Sequence, residues 1–398
     1  MTKTPVTQLA EVTAGPSASH DSADTKLSQV NRHWGKHEQT MLVIQGGGAL
    51  GAYQAGVYAA LKENGLDINW VTGVSIGAIN AALIAGNPPE RQVERLREFW
   101  NRMSTPAPFA LPVAFNLFRP VINQAHATSA ALFGVPGFFQ PRTLSPFMAS
   151  NGSLDAVSLY DTQPLKATLL DLVDFDYIAQ KNIRLSLGAV NVSTGNSVYF
   201  DNTRMRIEPE HVMASGALPP AFPPVEIDGE LYWDGGIVSN SPLTYVMDEA
   251  YRNNALIFQI DLFSGLGERP QTLDQVRERV KDIQYASKSR TSISRVQEYE
   301  ELRATLGRVI GKLPEALQSD PDVQKLKAVS TRRALTLVHF INRHNTFSSH
   351  FKDCEFSRAT VDELWNAGQT DVRYAMTRPA LSQAIDLGHG MRIYNEAR

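Results

Sequence analysis

The sequence predicts an α/β fold in which a mostly parallel sheet is covered by helices on both faces. Two successive strand-turn-helix units, followed by a strand-rich stretch with two hairpins, carry that prediction. In the first unit the run Met41-Leu42-Val43-Ile44 is short, apolar and partly β-branched. It is bounded by Gly46-Gly47-Gly48, the pattern of a buried strand that ends in a tight turn. Tyr53, Val57, Ala60 and Leu61 then fall at helical spacing, with Asn64-Gly65 as the stop. In the second unit Ile68, Trp70 and Val71 form the strand and Gly73 to Gly77 the turn. Ala78 to Ala85 make a small-residue helix closed by Gly86-Asn87-Pro88.

Further along, Ile183 to Val190 reads as another buried strand, turning through Ser193-Thr194-Gly195-Asn196 into Val198-Tyr199-Phe200. A second hairpin runs from Val225-Glu226-Ile227 to Leu231-Tyr232-Trp233. Its Asp228-Gly229 pair supplies the positive φ angles of a tight primed turn, and the return strand delivers Asp234 at its end. Ala255 to Leu262 is the last strand in the pattern. Beyond about residue 265, charged helical patterning over Leu273 to Val280 and Val296 to Leu306 predicts a separate, mainly helical C-terminal region spanning 265–398. Residues 1–38 contain too few large apolar groups to offset the entropy of ordering them and read as a disordered tail. That leaves 39–264 as the α/β domain.

Bulk properties narrow the function. A chain of 398 residues can bury one large core and a smaller one. Its net charge of -3 creates no strong field, which argues against a nucleic-acid partner. The single cysteine, Cys354, excludes an intrachain disulfide and a multi-cysteine metal site. The first forty residues lack the cationic start, apolar run and small-residue cleavage site of a secretory signal. No stretch approaches the roughly 18 to 20 apolar residues that cross a bilayer. The expected location is cytoplasmic, or peripheral on a membrane reached from one side.

Three segments carry chemistry. Gly73-Val74-Ser75-Ile76-Gly77 places a serine between a strand and a helix. Glycines two residues to either side relieve the crowding of such an elbow, and the following helix N-terminus favours developing negative charge. Gly46-Gly47-Gly48-Ala49-Leu50-Gly51 satisfies a dinucleotide-binding pattern as well as that of an oxyanion hole. The second strand, however, runs straight into the serine elbow instead of ending in Asp or Glu. Asp234-Gly235-Gly236 offers a carboxylate that can accept the serine proton, with two glycines that let the backbone turn beside it. An ordinary Asp is a weak base at neutral pH, so this one should be partly desolvated.

These segments, together with Ala214-Ser215-Gly216-Ala217-Leu218-Pro219, resemble the patatin-like phospholipase family in order and spacing over about residues 39–263. The resemblance implies a three-layer α/β/α domain and lipid acyl hydrolase activity. It also implies a Ser-Asp dyad of Ser75 and Asp234, with no metal, cofactor or catalytic histidine. By position the oxyanion hole falls on the amides of Gly46, Gly47, Gly48, Ala49 and Gly51, the nucleophile elbow on Gly73, Ile76 and Gly77, and supporting roles on Gly235 and Gly236. Many members of that family carry Arg or Lys where this chain has Leu50. The region after 265 resembles the helical extension of certain bacterial members.

Two alternatives remain. One is a non-catalytic nucleotide- or ligand-binding module that uses the glycine loop. The other is a Ser-His-Asp esterase served by His339, His344 or His350, which read as surface or capping residues in a charged helical tail. His211 reads as a helix residue near the sheet. Between residues 103 and 154 lies an apolar insertion with Phe109, Phe115, Phe118, Phe133, Phe138, Phe139 and Phe147, broken by prolines. It is expected to line an acyl pocket or, over 107–140, to lie on lipid. The expected partner is therefore a lipid or acyl-ester substrate. Phospholipid, lysophospholipid, glyceride, thioester and polyester all remain open, as does the oligomeric state.

Overall fold

The computed structural model describes residues 39–104, 127–249, 254–330, 335–344, 352–378 and 390–396. The tail 1–38 and the part of the insertion carrying Phe109, Phe115 and Phe118 lie outside the described residues. In chain order the elements begin β1 (Gln39–Ile44), α1 (Gly51–Glu63), β2 (Trp70–Val74), α2 (Ile76–Ala85), α3 (Gln92–Met103), β3 (Gln140–Pro141) and β4 (Tyr160–Asp161). Next come α4 (Gln163–Leu172), α5 (Phe175–Ala179), β5 (Arg184–Asn191), β6 (Ser197–Asp201), α6 (Pro209–Ser215), β7 (Val225–Ile227) and β8 (Glu230–Asp234). The chain continues through α7 (Leu243–Glu249), β9 (Ala255–Asp261), α8 (Leu273–Ile310), α9 (Pro321–Val329), β10 (Leu335–Ile341), α10 (Arg358–Met376) and β11 (Met391–Glu396).

The main sheet has the order β11-β10-β9-β1-β2-β5-β8-β7, with β6 paired to β5 off this path. Pairing is parallel from β11 to β5, whereas β6 and β8 run antiparallel to β5, and β7 antiparallel to β8. The sheet is thus mixed and mostly parallel. Alternation along β1 shows how both its faces are covered: Leu42 and Ile44 belong to one apolar cluster and Met41 and Val43 to another. The first cluster holds α1, α2, α3 and α10 on the sheet through residues such as Tyr53, Ile79, Trp100 and Trp365. The second holds α7 and α8 through Leu243, Val246 and Ile293. The β7–β8 hairpin turns on Asp228 and Gly229 at φ 52 and 81, the positive angles that its Asp-Gly pair predicts.

The region after 265 is mainly helical, but the expectation that it is separate is corrected by the pairing. β10 joins β9 in parallel from Leu335↔Ala255 to Ile341↔Asp261, and β11 joins β10. Phe340, Trp365 and Val372 sit in the same core cluster as Leu42. Helices α1 and α10 approach backbone to backbone: a Cβ placed on Gly56 would lie 2.0 Å from the Trp365 carbonyl oxygen, so only a residue without one fits. The two helical stretches expected at 273–280 and 296–306 are parts of one helix, α8. No helix among the described residues is long and apolar enough to cross a membrane.

Candidate active site

The β2–α2 connection is a sharp elbow. Ser75 lies at φ 58 and ψ -127, a left-handed conformation that a residue with a side chain rarely adopts. The flanking glycines make it possible. A Cβ on Gly73 would sit 2.3 Å from the carbonyl carbon and oxygen of Gly77, and one on Gly77 would sit 2.6 Å from the Ile44 carbonyl oxygen. Ser215 fixes the turn from the other side. Its carbonyl and hydroxyl oxygens accept the Ser75 N–H at 3.0 and 3.2 Å, and its hydroxyl donates to the Gly188 carbonyl at 2.6 Å. Ile76 opens α2 and is buried.

Asp234 ends β8 opposite Ala189, and its N–H donates to the Ala217 carbonyl at 3.0 Å. Asp234 is 2 % exposed. Its Oδ1 accepts the Gly236 N–H at 2.7 Å, and the Ser75 side chain is near enough to act on its titration. Burial raises the Asp234 pKa to about 6, against the opposing pull of Ser75 and the Gly236 N–H. The two side chains, distant in sequence, therefore meet, and the carboxyl is desolvated yet still ionised at neutral pH.

The glycine loop lies against this pair: a Cβ on Gly46 would be 2.9 Å from the Cβ of Ser75. The side-chain amide of Asn240 donates to the Gly46 carbonyl at 2.9 Å, and its backbone carbonyl accepts the Gly46 N–H at 3.3 Å. Asn240 is buried and closes the loop onto the turn after Asp234. Two of the amides expected to point at an oxyanion are consequently committed elsewhere. Gly46 donates to Asn240, and Gly51 donates to the carbonyls of Gly48 and Ala49. The N–H groups of Gly47 and Gly48 bond no other described residue. Gly48 holds φ 56, which turns the loop into the short helical turn containing Ala49.

Ser75, Asp234 and Gly46 to Gly48 open into a cavity of about 200 Å³. Its apolar wall holds Ile79, Phe138, Phe139, Leu218, Phe222 and Phe356. Phe138 and Phe139, from the insertion singled out by its aromatic content, pack with Phe222 at centroid distances of 5.8 and 5.2 Å. Phe133 and Phe147 from the same stretch point to solvent instead, at 76 % and 94 % exposure. Helix α8 and the turn Lys352–Cys354 supply Lys281, Tyr285, Asp353 and Cys354 to the cavity, residues that no motif marked. Burial pushes the Cys354 thiol up to about 12, so it stays protonated and inert at neutral pH.

The described histidines stand apart from this site. His339 lies on β10, buried, with Nε2 2.8 Å from Asp261 Oδ2, which corrects the expectation of a surface or capping residue. His344 is 3.4 Å from Asp371. His211 is in α6, where its Nδ1 accepts the Glu208 N–H. None of these three lines the cavity, and His350 falls outside the described residues. The dinucleotide alternative also lacks its acid, since β2 ends at Val74, directly before the serine.

A family model described as patatin-like phospholipase matches residues 42–247, just over half of the chain, and a second, described as patatin phospholipase, matches residues 283–386. The chain belongs to the patatin-like phospholipase family. It is 28% identical over 204 residues to an uncharacterized NTE family protein of Mycobacterium tuberculosis, an overlap of 51% of this chain and 44% of that protein. It is 28% identical over 202 residues to human patatin-like phospholipase domain-containing protein 6, covering 50% of this chain and 12% of that one. The chain thus spans less than half the length of these relatives. Among solved structures, human GIVD cytosolic phospholipase A2 aligns with 92% of this chain and 64% of its own, at 11% identity and a TM-score of 0.38.

Proposed function

We propose that this protein hydrolyses lipid-like acyl esters, with Ser75 as nucleophile and Asp234 as its base. The observation that carries the proposal is the convergence of Ser75, the buried carboxyl of Asp234 and the glycine loop on one cavity, with burial raising the Asp234 pKa to about 6. Asp234 takes the Ser75 proton as Oγ bonds the acyl carbon. The carbonyl oxygen then becomes an oxyanion, which the unspent amides of Gly47 and Gly48 receive. Collapse expels the alcohol, which takes the proton from Asp234 and leaves an acyl-serine. Water next gives a proton to Asp234 as it attacks the acyl carbon, and release of the acid returns that proton to Ser75. The phenylalanine wall suits the acyl chain, and the family to which the chain belongs supports a lipid ester as substrate.

A fluorophosphonate bearing a long alkyl chain is expected to label the wild type at Ser75 and to leave Ser75→Ala unlabelled; labelling that survives in the variant overturns the assignment. Because Asp234 must be ionised to accept a proton, kcat/KM should rise with pH through about 6 and then level. The exposed Leu132, Phe133, Phe147 and Met148 support contact of this flank with a lipid surface. Phe133→Ser with Phe147→Ser should lower co-sedimentation with phospholipid vesicles several-fold while sparing hydrolysis of a dissolved short-chain ester.

A further inference from the structure

The cavity has a second wall of a different character. Lys281 and Tyr285, four residues apart on α8, both face into it, and Asp353 faces it from the turn Lys352–Cys354. Among the described residues that line the cavity, Lys281 is the one cation. Its Nζ donates to Asp353 Oδ2 at 2.5 Å, which uses one of three ammonium donors. Asp353 is itself incompletely matched, because its Oδ1 is buried with no hydrogen-bond partner among the described residues. The pair sits beside the reacting groups. A Cβ on Gly48 would lie 2.2 Å from the Asp353 carbonyl oxygen, so the Asp353 backbone abuts the glycine loop that lies against Ser75. The Tyr285 ring stacks on Phe263 at 4.8 Å, and its hydroxyl is close enough to feel the charges of Lys281, Asp234 and Asp353.

A half-buried ammonium on a cavity wall with donors to spare favours an anion as occupant. We propose that Lys281, paired with Asp353 when the cavity is empty, is the specificity residue of the site and selects acyl donors whose leaving group carries an anionic substituent such as a phosphate. The proposal rests on the hydrolase reading above. It divides the substrate between the two walls: the acyl chain lies along the phenylalanines, and the charged leaving group lies toward α8. When the cavity is empty, Asp353 occupies Lys281. An incoming anion competes with that carboxylate for the ammonium, so the two residues act on selectivity with opposite sign.

The test measures kcat/KM on a pair with one acyl chain, 1-oleoylglycerol 3-phosphate and 1-oleoylglycerol. Their ratio should fall about tenfold in Lys281→Met, the loss expected of one charge-assisted hydrogen bond. It should be kept in Lys281→Arg and rise in Asp353→Asn. A ratio unchanged in Lys281→Met, or lowered in both Lys281→Met and Asp353→Asn as a merely structural pair would give, overturns the proposal. Binding supplies an arm that needs no turnover. In a Ser75→Ala background, calorimetry should find decyl phosphate bound at least tenfold more weakly after Lys281→Met, with decanol bound equally before and after. Equal loss of both ligands overturns the proposal, and inorganic phosphate binding as tightly as decyl phosphate would make this a free-anion site and overturn it too. Wild-type protein that cleaves neither ester defeats the hydrolase reading, and the decyl phosphate measurement still decides the role of Lys281.

Discussion

The two walls of the cavity are built from different kinds of atoms. The wall drawn from residues 46–240 presents backbone amides, the Ser75 hydroxyl, one buried carboxyl, the Tyr160 phenol and phenyl rings, with Ser75 and Asp234 held by the sheet and its turns. The wall drawn from residues 281–356 presents the side chains of an ion pair, a phenol, a thiol and one further ring, carried by a long helix and a short turn. Groups that break a bond must be fixed to fractions of an ångström, and backbone hydrogen bonds and close-packed glycines would fix Ser75 and Asp234 in the proposed reaction. Groups that choose between substrates can sit on longer side chains, where a single substitution retunes them. Chemistry is therefore expected to fail from the first wall and selectivity from the second.

The comparison breaks most visibly if the second region can be removed. A chain ending at residue 264 would lose β10 and β11, leaving β9 an unpaired edge of seven fully buried residues, and would strip α10 from α1. Such a fragment should fail to give a soluble, cooperatively unfolding protein. A sharp thermal transition from it would restore two independent units. Within the intact chain the largest catalytic effect belongs to the first wall: Ser75→Ala should lower kcat by roughly ten-thousandfold or more at unchanged stability, measured by ester hydrolysis beside thermal unfolding. Trp365→Ala, at a residue of α10 that is 1 % exposed against α1, should cost about 3 to 5 kcal/mol in denaturant unfolding. A loss near zero would show that the C-terminal helix decorates the core without belonging to it.

The first region is legible because its functional residues need local backbone chemistry that leaves a trace in sequence. Gly73 and Gly77 are required by contacts of 2.3 and 2.6 Å, Asp228-Gly229 by two positive φ angles, and the strands before them by burial on both faces. The α8 wall leaves no such trace. Lys281 and Tyr285 look like ordinary residues of a charged helix until the fold brings them against Gly48 and Asp234. β10 is equally hidden: Leu335 to Phe340 is buried like β9, but Thr336 and His339 interrupt its apolar run and charged segments flank it. The pairing of His339 with Asp261 on the neighbouring strand, which makes that histidine tolerable in a core, is a tertiary fact. Asn240 and Ser215 belong to the same class, since each acts on a backbone more than 100 residues away in sequence.

The smallest effect separates catalysis from stability within the first wall. Asp234 is carried by burial from its ordinary 3.8 to about 6. Between those values the folded state holds a proton that the unfolded chain releases, so wild-type stability falls as pH rises through this window. Above about pH 6 the folded protein bears the full cost of a buried carboxylate, about 3 kcal/mol at 1.36 kcal/mol per pH unit. Below about pH 4 both states are protonated and the cost is absent. Asp234→Asn removes the charge and can still accept the Gly236 N–H through its amide oxygen. It should therefore unfold at higher denaturant than wild type at pH 8, by about 3 kcal/mol, and match wild type at pH 3.5, while its kcat stays at the Ser75→Ala level throughout. A variant that is both inactive and less stable at pH 8 would mean that the carboxylate holds the turn together, and that the raised pKa is not the mark of a base held ready at a cost to the fold.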